Sequence, residues 1–396
     1  MRVTAPQMLL YPRIRKSPYF YAAREHGVAM YSVYNHMYIP RHFGDPVGEY
    51  WNLLENVNIS DVGVERALQI SGPDAFTFTN KLVTRDLSRC DVGQCKYTFL
   101  TDQHGGIIND PVLLRLEENR FWLTLADSDA LLWARGLAVN SGLNVTIDEP
   151  DMGPIQVQGP KSLDLMVSVF GESIRDLEYY FFKEYELQDM RVLVSRTGYS
   201  AELGYEIYLF DATENGTRLW RTVMEAGQPL GVQPAGVCHL RRIEAGILAL
   251  GADIDLTTNP FEVGMGYPWM LSMDKEGGFI GRDALQAISA EGVSRKLVGL
   301  HIDGEALGTY NDGTMLEAFP VSSGTAVVGK VTSACHSPRL GQNIGMALVG
   351  VERSAVGEHL SVRVDGQLRE AVVTPMPFLD SEKSAARQSV GSGDRG

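Results

Sequence analysis

The sequence predicts an α+β protein of two or three domains that ends in a small all-β unit, a barrel or sandwich. Three observations carry this. At 396 residues the chain is longer than one compact core comfortably serves. The stretches 68–76 and 155–163 echo each other, each an alternating strand, a Gly-Pro step (Gly72-Pro73, Gly159-Pro160) and then an apolar helical pattern. From Lys296 onward the texture changes to short strands at 297–302, 327–332, 344–349 and 360–364 between glycine turns.

The elements follow in order. Proline suits the first turn of a helix, whose N–H lacks an intrahelical partner anyway, so Pro73 and Pro160 are expected there. Phe76, Asn80 and Val83 continue the first helical pattern; Leu163, Met166, Val167 and Phe170 continue the second. Two copies imply a duplicated half rather than a solenoid. Strands are expected at 96–100, 111–116, 121–125 and 191–195, with a hairpin turn at Gly105-Gly106. Arg196-Thr197-Gly198-Tyr199 begins a sharp turn that leads to Gly204 and another strand. There Tyr205, Ile207 and Leu209 alternate with Glu206 and Tyr208, which places Glu206 and Tyr208 together on the opposite face. Apolar residues at 240, 243, 247, 248 and 250 predict a helix over 240–250, ending near Gly251. The polar stretch 287–295 reads as a linker. Residues 1–7 and 380–396 read as frayed, the latter as a disordered tail too poor in apolar residues to pack.

Composition narrows the function. A formal charge of -14 argues against a nucleic-acid partner, which needs a basic face. No apolar run approaches the ~18 residues that span a bilayer, and residues 1–16 lack the apolar core of a secretory leader, so a cytoplasmic protein with no membrane partner is expected. Cys90, Cys95, Cys238 and Cys335 form no CxxC pair, and the eight histidines are scattered, so packed reduced thiols and no metal are expected. Phosphate loops, nucleophile elbows and dinucleotide fingerprints are missing.

The turn Thr197-Gly198-Tyr199 with Gly204-Tyr205-Glu206 resembles the corresponding segment of folate-dependent aminomethyltransferases, the glycine-cleavage T-protein family. The likeness recurs in order at Gly105-Gly106-Ile107-Ile108-Asn109-Asp110, Gln158-Gly159-Pro160, Leu240-Arg241-Arg242-Ile243-Glu244, Phe279-Ile280-Gly281-Arg282 and Lys296-Leu297-Val298-Gly299-Leu300. Val33-Tyr34-Asn35-His36-Met37, Arg85-Asp86-Leu87-Ser88, Asn109-Asp110-Pro111-Val112 and Asn259-Pro260-Phe261-Glu262 are similar to a sub-branch, the tetrahydrofolate-dependent dimethylsulfoniopropionate demethylases. The resemblance implies a T-protein-like three-domain ring around a folate channel. It divides the chain into a discontinuous folate-binding domain at 1–55 and 140–240, a second at 56–139, a connecting part at 241–290 and a C-terminal β-barrel at 291–379.

The resemblance also implies site residues. Glu206 would anchor the pterin of tetrahydrofolate, Tyr199 would border it, Tyr97 would line the channel and Arg242 would meet the glutamyl tail; the last three have packing or ion pairing as the alternative. For the donor, Tyr31 and Tyr34 offer aromatic faces to an onium group, with one of the two expected to face the pocket. Lys96 would balance a substrate carboxylate, and Arg85, His36 and Trp51 are weaker candidates. Asn109 stands where T-proteins place an aspartate. Asparagine orients but cannot titrate, whereas aminomethyl transfer moves protons and sulfonium demethylation releases a neutral thioether. Asp110, one residue on, is expected to point the other way. Asn109, Glu206, Tyr199 and Arg242 should therefore line one cavity. Demethylation of dimethylsulfoniopropionate to 3-methylthiopropionate, with formation of 5-methyltetrahydrofolate, is the expected activity. Aminomethyl transfer, demethylation of a betaine or O-methyl aromatic, and silent folate binding are the alternatives. Partners beyond methyl donor and folate are not indicated, and a homodimer is left open.

Overall fold

The computed structural model describes residues 12–308 and 319–388, so the expected frayed stretch 1–7 and residues 389–396 of the expected tail lie outside the described residues. Gly204–Phe210 lies within the larger sheet. Tyr205, Ile207 and Leu209 enter an apolar core with Leu219, Trp220 and Val223 of the helix Ala212–Gly227. The alternation leaves Glu206 and Tyr208 together on the other face, where the Tyr208 hydroxyl donates to Glu206 at 2.8 Å. Across this sheet the order is Phe182–Leu187, Met190–Ser195, Gly204–Phe210, Met152–Gln158, Val57–Asp61, Val232–Pro234. Every pair is antiparallel except the last.

A second, antiparallel sheet runs Thr146–Asp148, Ala67–Ser71, Arg120–Thr124, Val112–Glu117, Cys95–Tyr97. The helices Ala75–Leu82 and Ala130–Val139 cover it. The two sheets meet through Leu114, Trp122, Met152, Leu193 and Tyr208, with the Trp122 ring 5.2 Å from Phe210. The internal echo is visible in three dimensions. Gly72 and Gly159 both adopt left-handed φ, +120° and +126°, and a Cβ would come within 2.8 Å of the Asn144 carbonyl or 2.5 Å of the Asn56 carbonyl. Pro73 and Pro160, expected in the first helical turn, instead sit one residue before the caps Asp74 and Lys161 of Ala75–Leu82 and Ser162–Phe170.

Several expectations need correction. Strand Val57–Asp61 pairs with 155–158 and Thr146–Asp148 pairs with 69–71, so the boundaries expected at 55/56 and 139/140 each put a strand in the wrong unit. Partners distant in sequence decide this, and alternation within one strand does not reveal them. The helix expected over 240–250 is only His239–Glu244; Gly246 at φ +61° breaks it, and the following residues turn along the cavity described below. The strand expected at 96–100 splits into Cys95–Tyr97 and Leu100–Thr101, the second pairing with Ile107–Asn109. The linker expected at 287–295 is largely the helix Arg282–Glu291.

The C-terminal unit is a closed barrel in the order Arg295–Ile302, Gln342–Gly350, Ala326–Ser337, Pro320–Ser323, His359–Val364, Gln367–Thr374. Beyond it the expected disordered tail is packed as far as Gln388. Phe378 and Leu379 donate to the Glu244 carbonyl at 2.9 and 3.0 Å, and the Arg196 guanidinium donates to the Ala386 carbonyl at 3.3 Å and to that of Gln388. Hydrogen bonds from the distant Arg196 side chain and to the Asp380 carboxylate order this apolar-poor stretch. No helix of the described residues is long and apolar enough to cross a membrane.

Candidate active site

A cavity of about 670 Å³ is bounded by the larger sheet, the hairpin Met30–Tyr34/Met37–His42, residues 246–252 and, from the C-terminal stretch, Lys383 and Ala386. Glu206 lies in its wall because strand alternation turns it away from the core. Gln156, its register partner on the neighbouring strand, donates to it at 2.9 Å, and the hydroxyls of Tyr208 and Thr197 donate to its other oxygen. These donors fix the carboxylate and occupy three of its roughly four acceptor sites. Tyr199 also lines the cavity, its hydroxyl tied to the Leu248 carbonyl at 2.8 Å.

Asn109 does not reach the cavity. It is fully buried, donating to the Ala126 carbonyl at 2.9 Å and the Ser128 hydroxyl at 2.8 Å and accepting from the Ala126 amide at 3.1 Å. Its polar capacity is spent pinning the turn that carries Asp127, which does line the cavity and accepts from the Asn35 amide at 2.7 Å. Neighbours do point opposite ways, but the direction is the reverse of that expected: Asp110 faces the cavity. Tyr97 donates to it at 3.0 Å, yet burial pushes its carboxyl up to about 7. The inference from Asn109 against aminomethyl transfer therefore falls. Glu65 adds a further carboxyl, pushed well above the usual range by burial and then by Glu206 and Asp110. No hydrogen bond reaches its side chain among the described residues.

Arg242 lines the cavity, but it is not held in reserve for a glutamyl tail as expected. It is fully buried, donating to Asp253 at 2.6 Å and Ser333 at 2.6 Å; neither Glu244 nor Glu206 is its partner. Lys96 lies outside the cavity, since it alternates with Tyr97, which is inside; burial and then Arg85 lower its ammonium. Tyr31 and Tyr34 both line the cavity, where one was expected. A two-stranded ribbon twists more than a wide sheet, and register shifts beside Tyr31. The Tyr31 ring stacks on Phe20 at 5.1 Å, and burial pushes its hydroxyl up to about 12. Arg85, His36 and Trp51 lie outside the lining.

Glu65, Asp110, Gln156, Thr197 and Lys383 line the cavity although none was expected there. Thr197 was within reach, since it lies in a segment carrying the resemblance, and Gln156 lies in the echoed stretch 155–163. Glu65 and Lys383 have no local pattern that singles them out.

Comparison with known proteins places this geometry. The profile of the GCVT N-terminal domain matches residues 19–275, and that of the glycine cleavage T-protein C-terminal barrel domain matches 295–380. A dimethylsulfoniopropionate demethylase of Ruegeria pomeroyi is 34% identical over 91% of this chain and 96% of its own length. An aminomethyltransferase of Halothermothrix orenii is 30% identical over 92% of this chain and 100% of its own. A trimethylamine-oxide aldolase of R. pomeroyi is 34% identical over 86% of this chain but 44% of its own length. The crystal structure of aminomethyltransferase T from Bartonella henselae superposes with a TM-score of 0.81 at 20% identity, over 93% of this chain and 99% of that one.

Proposed function

Because this chain belongs to the glycine cleavage T-protein family, we propose that it demethylates dimethylsulfoniopropionate, passing the methyl group to tetrahydrofolate and releasing 3-methylthiopropionate. It is an enzyme of the folate-dependent methyl and aminomethyl transferase class, with tetrahydrofolate as its cofactor. The observation that carries the reading of the donor is the lining of the cavity. The rings of Tyr31, Tyr34 and Tyr97 share it with the carboxyl of Asp127, and aromatic faces attract an onium cation.

The same cavity fits a pterin. Its volume of about 670 Å³ lies in the range of ligand pockets. Glu206 keeps an acceptor site, Glu65 is open to an N–H donor, and Tyr199 supplies an apolar border. Tetrahydrofolate supplies an amine nucleophile when bound. The chain's own task is then to hold the sulfonium in line and keep water out, and orientation of this kind contributes ~7–11 kcal/mol. A thioether departs neutral, so no residue need donate a proton to it; the amine that takes the methyl group sheds its own proton, which can pass to water once the transfer is complete.

Asp110 supports a second reading. A carboxyl titrating near 7 can relay protons, which aminomethyl transfer or an ammonium donor such as a betaine requires. Methyl-labelled dimethylsulfoniopropionate, incubated with and without tetrahydrofolate and followed by mass spectrometry, separates these readings. Label in 5-methyltetrahydrofolate only when both are present is the expected result. Folate binding without label transfer, with turnover of an aminomethylated carrier or of another methyl donor, would replace it.

A further inference from the structure

We propose that Lys383 binds a ligand carboxylate at this cavity, and that the stretch 376–388 exists as a strap that carries it there. This deepens the reading above, since both a folate tail and a sulfonium propionate bear carboxylates.

Five carboxyl groups line the cavity, Glu65, Asp110, Asp127, Glu202 and Glu206, and of these Glu202 is paired with Arg241 at 2.6 Å. A ligand carboxylate entering such a space needs a cation close by. Arg242 is committed to Asp253 in a fully buried pair, Arg41, which also lines the cavity, is already engaged, and burial together with Arg41 holds His239 well below its usual range. Lys383 also lines the cavity, half-buried, and no carboxylate oxygen lies within 4.0 Å of its ammonium among the described residues.

The backbone around Lys383 is built to hold it there. Upstream, Phe378 and Leu379 hang from the Glu244 carbonyl. Asp380 accepts from the Ser384 amide at 2.8 Å and its hydroxyl at 2.6 Å, closing a tight turn in which Lys383 itself adopts φ +54°. Downstream, buried Ala386 lines the cavity while its carbonyl is gripped by Arg196. A lysine in left-handed backbone is uncommon and costs free energy, and anchors on both sides hold it in that conformation. Burial, Arg387 and Asp380 act on the ammonium, the first two lowering it. A carboxylate at that point would relieve the burial cost.

The test uses the full chain with Lys383→Met and Lys383→Glu, and circular dichroism and melting to check folding. Affinity is read for tetrahydrofolate and for tetrahydropteroate, which lacks the glutamate. Turnover is read with dimethylsulfoniopropionate and with trimethylsulfonium, which lacks the carboxylate. If the folate tail is the partner, Lys383→Met weakens tetrahydrofolate about ten- to hundredfold and spares tetrahydropteroate. If the donor is the partner, KM for dimethylsulfoniopropionate rises by a similar factor while folate affinity and trimethylsulfonium turnover hold. In either case Lys383→Glu should be worse than Lys383→Met. Unchanged affinity for both carboxylate ligands, equal loss for the carboxylate-free ones, or a glutamate variant no worse than methionine would overturn the proposal. Failure of the wild type to use dimethylsulfoniopropionate would sink the donor reading alone, because the folate arm still tests Lys383.

Discussion

Asp110 and Glu206 are carboxyls in one cavity with different work to do. Glu206 is fixed by three donors, so Glu206→Gln should keep the fold while lowering tetrahydrofolate affinity roughly tenfold or more, read by ligand titration. Asp110 titrates near 7 and discriminates between the two chemistries. If the donor is a sulfonium, Asp110→Asn should leave the transfer rate within about tenfold and its pH profile flat through neutrality. A proton-relaying role would instead lose about 10²–10⁴-fold, along with the inflection near 7. Stability offers an independent reading. The folded chain holds the Asp110 proton to higher pH than the unfolded chain, so its contribution is complete below the unfolded value of 3.8 and is lost as pH rises toward 7. Denaturation midpoints between pH 5 and 7 should fall with pH, with at most ~1.4 kcal/mol per pH unit arising from this group, and Asp110→Asn should remove that part. Asp61, also pushed up to about 7 by burial, supplies a residual slope in the variant.

At the level of elements, Asn109 belongs to architecture. Asn109→Ala takes the partner from the Ala126 amide and carbonyl in a half-buried turn and should cost about 1 kcal/mol by chemical denaturation, with substrate KM rising as Asp127 loosens. The same residue shows what was legible in the sequence. Alternation established that Asn109 and Asp110 point opposite ways and that Glu206 leaves the core; it carried no information on which side of Ile107–Asn109 the cavity would lie. That depends on how the second sheet docks, which is set by contacts such as Trp122 with Phe210 across 88 positions of sequence. Barrel strands and the echoed Gly-Pro steps were readable because each is a local pattern. The short helix His239–Glu244 was not, because apolar residues at 247, 248 and 250 keep helical spacing after Gly246 has broken the helix. The ordered stretch 380–388 was hidden for the opposite reason: its long-range anchor is Arg196, some 190 positions away, and composition says nothing of that contact.

Across the whole molecule, a buried polar knot joins the barrel to the rest. Arg242 and Asp253 pair at 2.6 Å, and Asp253 accepts from the hydroxyls of Thr332 at 2.6 Å and Ser333 at 2.7 Å, both on a barrel strand. Removing one charge strands the other, so Arg242→Met should cost about 3–5 kcal/mol. All five tryptophans lie before the barrel, at 51, 122, 133, 220 and 269. Tryptophan fluorescence and barrel amide exchange should therefore melt together in the wild type and separate in the variant; a single transition in both probes would show that the knot does not couple them. The lining of the cavity, from Met30 to Lys383 and Ala386, has a consequence for biosynthesis. Its walls are gathered from the early hairpin, from both sheets and from the stretch beyond the barrel. A chain still emerging from the ribosome, or one cut short by a stop codon after the barrel, lacks the wall that bears Lys383. Such products can fold in part, yet they should neither drain the cellular folate pool nor handle a reactive methyl donor in an incomplete enclosure.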